Sequence, residues 1–461
     1  YNRITRRAKR SYERFRAKRI EEAISGGDSH VLRSFRPQPK TFVSPIAADT
    51  WGMHLVHHFK GRSLPNFEFS PSQPQQPLSP SFLTQCPPFH VLLACVTKHL
   101  RRLNPSSSPG FFDPPPPFLK ISAPSSSPPH HQTFILAPVL SSLVQACLSH
   151  ADIPPSWKIT KLVPIFKKGQ LWNPASYRLI AINSSIYRLF ASVICDLLMK
   201  WALENSVLPH TQFGFVPGRS TLDPVFLFLH CLAKARSDCR LGSLILVLVD
   251  FQAAYDSVDR EKLWSHLASL DVPPFLLNTL IALYRDDFYV LYDGCLSPPV
   301  SPGLGLRQGC PLSPLLFALF ISDLHSIFNP QDGARSTNDQ ILITDAEYAD
   351  DLGLASNSIR GMQNLLYALE EYVELKSLMV NVGKTKVIVL GRSIVNCSLK
   401  YKNFPLEFVD SVRYLGFPFA RNGSYRSIGS EMHCLFTGGL ARVQQIAHQH
   451  KLGDRLLTYI R

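Results

Sequence analysis

SLILVLVDF, residues 243–251, and AEYADDLGLAS, residues 346–356, decide the fold. Leu244 to Val249 are all aliphatic, and the run stops at Asp250. Such a run predicts a strand buried on both faces. A carboxylate at its end is costly unless it sits at the strand's exposed tip or binds a cation. The second stretch reads as a strand broken by a tight turn at YADD, which brings Asp350 and Asp351 to strand tips. Side chains alternate faces along a strand, so the two cannot both point at one site. The main ligand role falls to Asp350 and a weaker, outer one to Asp351. Carboxylates from neighbouring strands suit hard divalent cations, which take oxygen ligands and clamp the oxygens of a phosphoryl transfer. Asp250, Asp350 and Asp351 are therefore the candidate metal ligands.

Working outward, the pattern is globular from Phe134 onward. Apolar spacing predicts helices over 134–150, 184–205, 313–328 and 358–376, and a helix over 260–270 that starts after an Asp259 cap. Strands are predicted at KLVPIF (161–166), ended by the turn KKGQ, and at KVIVL (386–390) and RYLGF (413–417). Strands and helices mix without strict alternation, which predicts an α+β sheet with helices on one face.

Upstream the character changes. Arg3, Arg7, Arg10 and Arg14 recur at three- and four-residue steps. Residues 1–63 read as a basic helical linker, its charge serving a nucleic-acid contact or a solvated face. Residues 64–130 are rich in proline and serine and predict irregular chain.

The 461 residues carry a formal net charge of +14, and 45% are apolar. That length supports a large core, and the positive surplus suits a polyanionic partner. No apolar run approaches the roughly 18 residues of a membrane-spanning helix, so no membrane partner is expected. The ten cysteines include no C-x-x-C pair. They are expected to be reduced packing residues of an intracellular protein, in cytoplasm or nucleus. His54, His57 and His58 lack an H-E-x-x-H pattern and read as surface or packing residues. GKT at 383–385 lacks the earlier glycine of a phosphate-binding loop, since position 378 is leucine.

Several segments occur in an order that resembles the reverse transcriptase of non-LTR (LINE-type) retrotransposons. They are SSSPGFFDPPPPFLK (106–120), WKITKLVPIFKKGQLWNPASYRLIAI (157–182), TQFGFVPGRSTLD (211–223), VDFQAAYDSVDREKLW (249–264), GLRQGCPLSPLLFALFISDL (305–324), YADDLGLAS (348–356), NVGKTKVIV (381–389) and YLGFPF (414–419). The resemblance implies a right-hand polymerase with palm and fingers interleaved and a truncated thumb. Fingers would span 131–242, palm 243–420 and the start of the thumb 421–461. The implied activity is RNA-directed DNA synthesis from a primer 3′-hydroxyl by a two-metal mechanism with Mg²⁺, or Mn²⁺. RNA template, DNA primer or target and deoxynucleoside triphosphates are the implied partners.

The resemblance also implies roles. Tyr255 would pack below the incoming sugar and exclude a ribose 2′-hydroxyl. Gln308 and Gly309 would lie against the template base and incoming nucleotide, with glycines at 303, 305 and 309 allowing close backbone approach. Arg178 would bind triphosphate oxygens. Lys167 and Lys168 read equally as phosphate contacts or as an exposed turn. Lys384 would protonate or screen departing pyrophosphate. Tyr414, Leu415 and Gly416 would form the primer grip. Leu179 stands where the family carries proline. Thr344, Asp345 and Glu347 replace an apolar strand, with Glu347 adding like charge beside the aspartates. These departures define the alternative reading, an inactive copy that keeps the fold and RNA binding.

Overall fold

The computed structural model describes residues 46–60, 62–63, 86–105, 107, 114, 116–122, 133–238, 241–285, 287–293, 295–336, 341–391 and 398–421. The basic stretch 1–23, much of the Pro/Ser-rich segment and the thumb from 422 onward lie outside them. Val43–Phe417 form one compact unit; Tyr1–Phe42 with Pro418–Arg461 form another.

The fold is α+β, as the sequence predicts. In the first unit one sheet runs in the order Asp345–Tyr348, Asp351–Ser356, Ser243–Asp250, Lys386–Gly391, Glu407–Phe408. The aliphatic strand Ser243–Asp250 lies at its centre, antiparallel to both neighbours. A second sheet pairs Ile159–Phe166 with Tyr177–Ile182 antiparallel and with Phe288–Asp293 parallel. Val300–Ser301 and Arg62–Ser63 extend it. Residues near 60 and near 290–300 thus complete a sheet begun by 159–182, so sequence order and sheet membership interleave.

Both faces of the central strand are covered, not one. Ile245, Val247 and Val249 join the main core with Leu365, Leu366 and Phe317 from the helices Ile359–Leu375 and Ser313–Phe320. Leu244 and Leu246 point the other way and are also fully buried. The helix Leu222–Ser237 packs against that strand and covers this face. The cause is the sequence itself: with every residue apolar, neither face can be left to water.

Helix starts follow the capping chemistry. Ser184 accepts from the Tyr187 amide at 3.1 Å, Asp259 from Lys262 at 3.2 Å and Ser358 from Gly361 at 3.0 Å. Three expectations change. Residues 64–130, expected to be irregular, contain the helix Phe89–Arg102, whose Leu92, Val96 and Leu100 recur at four-residue steps and are buried. The helix predicted over 313–328 stops at Phe320 and resumes as a 3₁₀ turn, Leu324–Ile327. There Asp323 accepts from Tyr372 Oη at 2.5 Å and His325 Nδ1 lies 2.7 Å from Asp345 Oδ1, ties that turn the chain out of the helix. RYLGF is not one strand: Ser411–Tyr414 ends in a turn with Leu415 and Gly416 both at positive φ.

A charged cluster sits inside this apolar frame. Arg260 forms a fork with Asp287, at 2.9 and 3.2 Å, and donates to Gly305 O at 2.9 Å. Arg307 reaches the same carboxylate at 3.4 Å and donates to Trp157 O and Leu283 O. Its guanidinium lies 5.1 Å from the ring centres of Tyr187 and Tyr284. Asp287 bonds to both cations, and it is 1% exposed. Removing it strands two buried guanidinium groups. Asp287→Ala should therefore cost about 3–5 kcal/mol in denaturant unfolding, well above the cost of a surface Asp→Ala control.

Candidate active site

The antiparallel register sets Asp351 opposite Asp250, with Ala349 and Asp350 forming the turn beyond. Ala349 takes the left-handed conformation, φ 57°. Asp250 and Asp350 line a cleft of about 710 Å³. Lys167, Arg178, Tyr255, Gln308, Gly309 and Lys384 line it as well. Asp351 and Lys168 lie outside that lining. Asp350 sits in the turn and Asp351 opens the next strand, so the turn, not alternation along one strand, separates the two.

Each lining residue has a local reason for its place. Arg178 projects from the face of its strand opposite buried Tyr177 and Leu179. Lys384 follows a turn in which Asn381 N donates to Asp250 O at 2.7 Å, and its Nζ lies 3.2 Å from Asp250 Oδ2. Tyr255 packs on Phe317, ring centres 5.2 Å apart. The Gln308 loop is anchored by Ala181 N donating to Gln308 O at 2.8 Å. Gly309, at φ +100°, comes so close there that a Cβ would lie 3.1 Å from Ala181 O.

Three further residues reach the cleft without having been expected there. His54 and His58 line it, stacked with ring centres 5.5 Å apart. The third is Asp256: His58 Nε2 lies 3.1 Å from its Oδ2, and Gln308 Nε2 donates to the same oxygen at 2.9 Å. The histidines stand one helical turn apart in Ala48–His58, far from every motif in sequence. The adjacency of Asp256 to Tyr255 was the one available signal. Tyr414, Leu415 and Gly416 do not line the cleft; Tyr414 Oη donates to Ala346 O at 3.1 Å.

The electrostatics are divided. Burial raises the Asp350 carboxyl, and the nearby Asp250 charge raises it further. Asp351, ordinarily near 3.8, is pushed up to about 6 by burial, then by Asp350 and Asp250. Across the cleft, burial and then the neighbouring Arg178 and Lys384 charges hold Lys167 below its ordinary value. Glu347 does not share a face with Asp351. It pairs in register with Leu352 and so points to the core face. Burial first, then Asp345, holds its carboxyl well above the usual range.

Among the described residues no three His, Cys, Asp or Glu side chains converge as a complete metal cage. The available donors are two carboxylates, Asp250 and Asp350, held together against their repulsion. That set fits a hard, oxygen-liganded divalent cation whose remaining ligands come from phosphate and water, and it does not fit a thiolate or imidazole metal.

Residues 165–419 match the family described as reverse transcriptase (RNA-dependent DNA polymerase). The chain is 31% identical over 289 residues to a probable RNA-directed DNA polymerase from transposon BS of Drosophila melanogaster, covering 60% of this chain and 31% of that protein. It is 27% identical over 290 residues to the transposon TX1 uncharacterized 149 kDa protein of Xenopus laevis, covering 61% and 21%. It is 22% identical over 322 residues to the RNA-directed DNA polymerase from mobile element jockey of Drosophila melanogaster, covering 68% and 34%. The chain thus spans about a third or less of these relatives. Among solved structures, apo telomerase from Candida tropicalis truncated from its C-terminal domain aligns with a TM-score of 0.40 and 12% identity, over 58% of this chain and 56% of that one.

A carboxylate whose pKa rises on folding loses stability as pH climbs from its unfolded to its folded value, because the unfolded chain releases the proton first. For Asp351 that window runs from 3.8 to about 6. In chelator, Asp351→Asn should therefore unfold at higher denaturant than wild type at about pH 7. The difference should shrink as pH falls toward about 3, below both values, where the Asp351 side chain is largely neutral folded or unfolded.

Proposed function

Because the chain belongs to the reverse transcriptase (RNA-dependent DNA polymerase) family, we propose that it extends a DNA primer on an RNA template by the two-metal mechanism of non-LTR retrotransposon polymerases. One observation carries this reading: Asp250 and Asp350 line one cleft together with Arg178, Lys167 and Lys384. Carboxylates and fixed cations gathered in one cleft match a metal-bound nucleoside triphosphate.

Asp250 and Asp350 are the residues that would hold the cation, Mg²⁺ in this reading, with Asp351 in an outer role. When bound, the ion supplies charge neutralisation at the transferring phosphoryl group and favours the ionised primer hydroxyl. The chain's own residues do the rest. Arg178 and Lys167 orient the triphosphate oxygens. Lys384, exposed and ion-paired to Asp250, is free to swing toward the pyrophosphate as it leaves and to screen or protonate it. Tyr255 presents a wall to the sugar, and that wall is rigid because the ring rests on Phe317. Gln308 has its amide fixed by Asp256 and lies on the template side of the nucleotide. The turn at Leu415 and Gly416 would guide the primer end.

In this reading residues 131–242 form the fingers and 243–420 the palm, with 288–301 contributing strands to the fingers sheet. The net charge of +14 supplies long-range attraction for template and primer. No described helix is long and apolar enough to cross a membrane.

The test is primer extension on poly-rA with oligo-dT, dTTP and Mg²⁺. Wild type should extend and Asp250→Ala should fall to background, with RNA retention on filters unchanged. Extension by neither, with RNA retained, would mean an inactive copy. Tyr255→Ala should raise ribonucleotide incorporation roughly tenfold or more relative to deoxynucleotide, since removing the ring opens room for the 2′-hydroxyl. Unchanged sugar discrimination would take the gate away from Tyr255.

A further inference from the structure

The catalytic turn is gripped from behind by a segment from another part of the chain. Thr211–Gly214 runs alongside the strand Asp345–Tyr348 as a parallel bridge. Phe213 N donates to Glu347 O at 2.7 Å, and Glu347 N donates to Thr211 O at 2.8 Å. The Gln212 side chain is fully buried and uses both ends of its amide. Its Nε2 donates to Glu347 Oε2 at 2.9 Å. Its Oε1 accepts from Gly214 N at 2.9 Å and from Ala349 N at 3.1 Å.

The last bond is the informative one. Ala349 is a buried non-glycine residue at φ 57°, a conformation an alanine adopts only under constraint. Its amide lies in the turn, and an unpaired buried donor is costly. Gln212 supplies the acceptor. The approach is so close that a Cβ on Gly214 would fall 2.3 Å from Ala349 N. Arg219 braces the segment by donating to the Gln212 and Pro209 carbonyls.

We propose that Gln212 and Glu347 are positioning residues that hold the Ala349 turn, and through it set the direction of the Asp350 carboxylate into the cleft. The proposal rests on the polymerase reading for what Asp350 does, but not for the clamp itself. Glu347 accepts from Gln212 through its side chain and from Phe213 through its backbone. Glutamine at 347 would present the same acceptor, whereas alanine would not.

The experiment compares Gln212→Ala, Gln212→Met, Glu347→Gln and Glu347→Ala in the full chain. Methionine keeps the buried volume if alanine impairs folding. Hydrogen exchange over residues 346–351 reads the clamp without any need for activity. Primer extension on poly-rA/oligo-dT with dTTP reads its consequence. Both Gln212 variants should exchange faster at this segment and lose about 10²-fold in kcat, the cost of a misplaced catalytic group, with KM for dTTP unchanged. Glu347→Ala should move the same way, and Glu347→Gln should keep wild-type exchange and kcat. Wild-type exchange in both Gln212 variants would overturn the clamp, as would equal losses in Glu347→Gln and Glu347→Ala. If wild type itself does not extend, the polymerase reading fails while exchange still decides the clamp. If wild type and the Gln212 variants extend equally, the clamp fails and the polymerase reading stands.

Discussion

An antiparallel register places like charges where they repel. Asp351 stands opposite Asp250, Asp350 projects beside them, and no sequence change in the turn alone could separate them without breaking the ladder. What holds the arrangement is the strand behind it. Each fully buried Leu, Ile or Val contributes roughly 1.5–3 kcal/mol, and Leu244 to Val247 have no exposure on either face. The strand cannot shift by one residue without sending a core side chain out and a carboxylate in. Apolar burial thereby fixes the position of charges that would otherwise move apart. The raised carboxyls of Asp350 and Asp351 are the visible cost.

The opposite wall is assembled by different means. The loop carrying Gln308 and Gly309 has no apolar strand to fix it. Buried cations anchor it instead, since Arg260 holds Gly305 O and Arg307 spans Asp287 and two carbonyls. From that base the loop reaches Ala181 in one direction and Asp256 in the other. His58 closes the set from a helix nearly two hundred residues away in sequence. Charge–charge and hydrogen-bond geometry is directional, so it suits a loop whose side chains must keep fixed headings. Apolar packing is not directional, and it suits a strand whose register alone matters.

The division explains what could be read from the sequence. The strand, the hairpin and most helices were legible because periodicity and caps are local, as with Asp259 before Arg260 and Ser358 before Ile359. Arg178 was legible only through the family resemblance, and Asp350 through the tight turn expected at YADD. The early end of the helix after Phe320 was not, because it depends on Tyr372 and Asp345, side chains distant in sequence. His54, His58 and Gln212 were invisible for the same reason. Each carries a role only through a partner whose proximity is a product of the fold. The second covered face of the central sheet was implicit in the unbroken aliphatic run, and an expectation of one-sided packing did not follow it through.

The departures from the family's pattern obey the same physical division. Leu179 pairs with Pro164 between the strands Ile159–Phe166 and Tyr177–Ile182 and buries its side chain with Trp51 and Leu162. Leucine there keeps the backbone donor that proline would remove and adds core area, while Arg178 beside it still faces the cleft. Glu347 and Asp345 replace apolar residues on a core face. Each has a partner there, Gln212 for one and His325 for the other, and neither shares a face with Asp351. Both changes therefore fall on the buried sides of their strands, where they alter how the walls are supported.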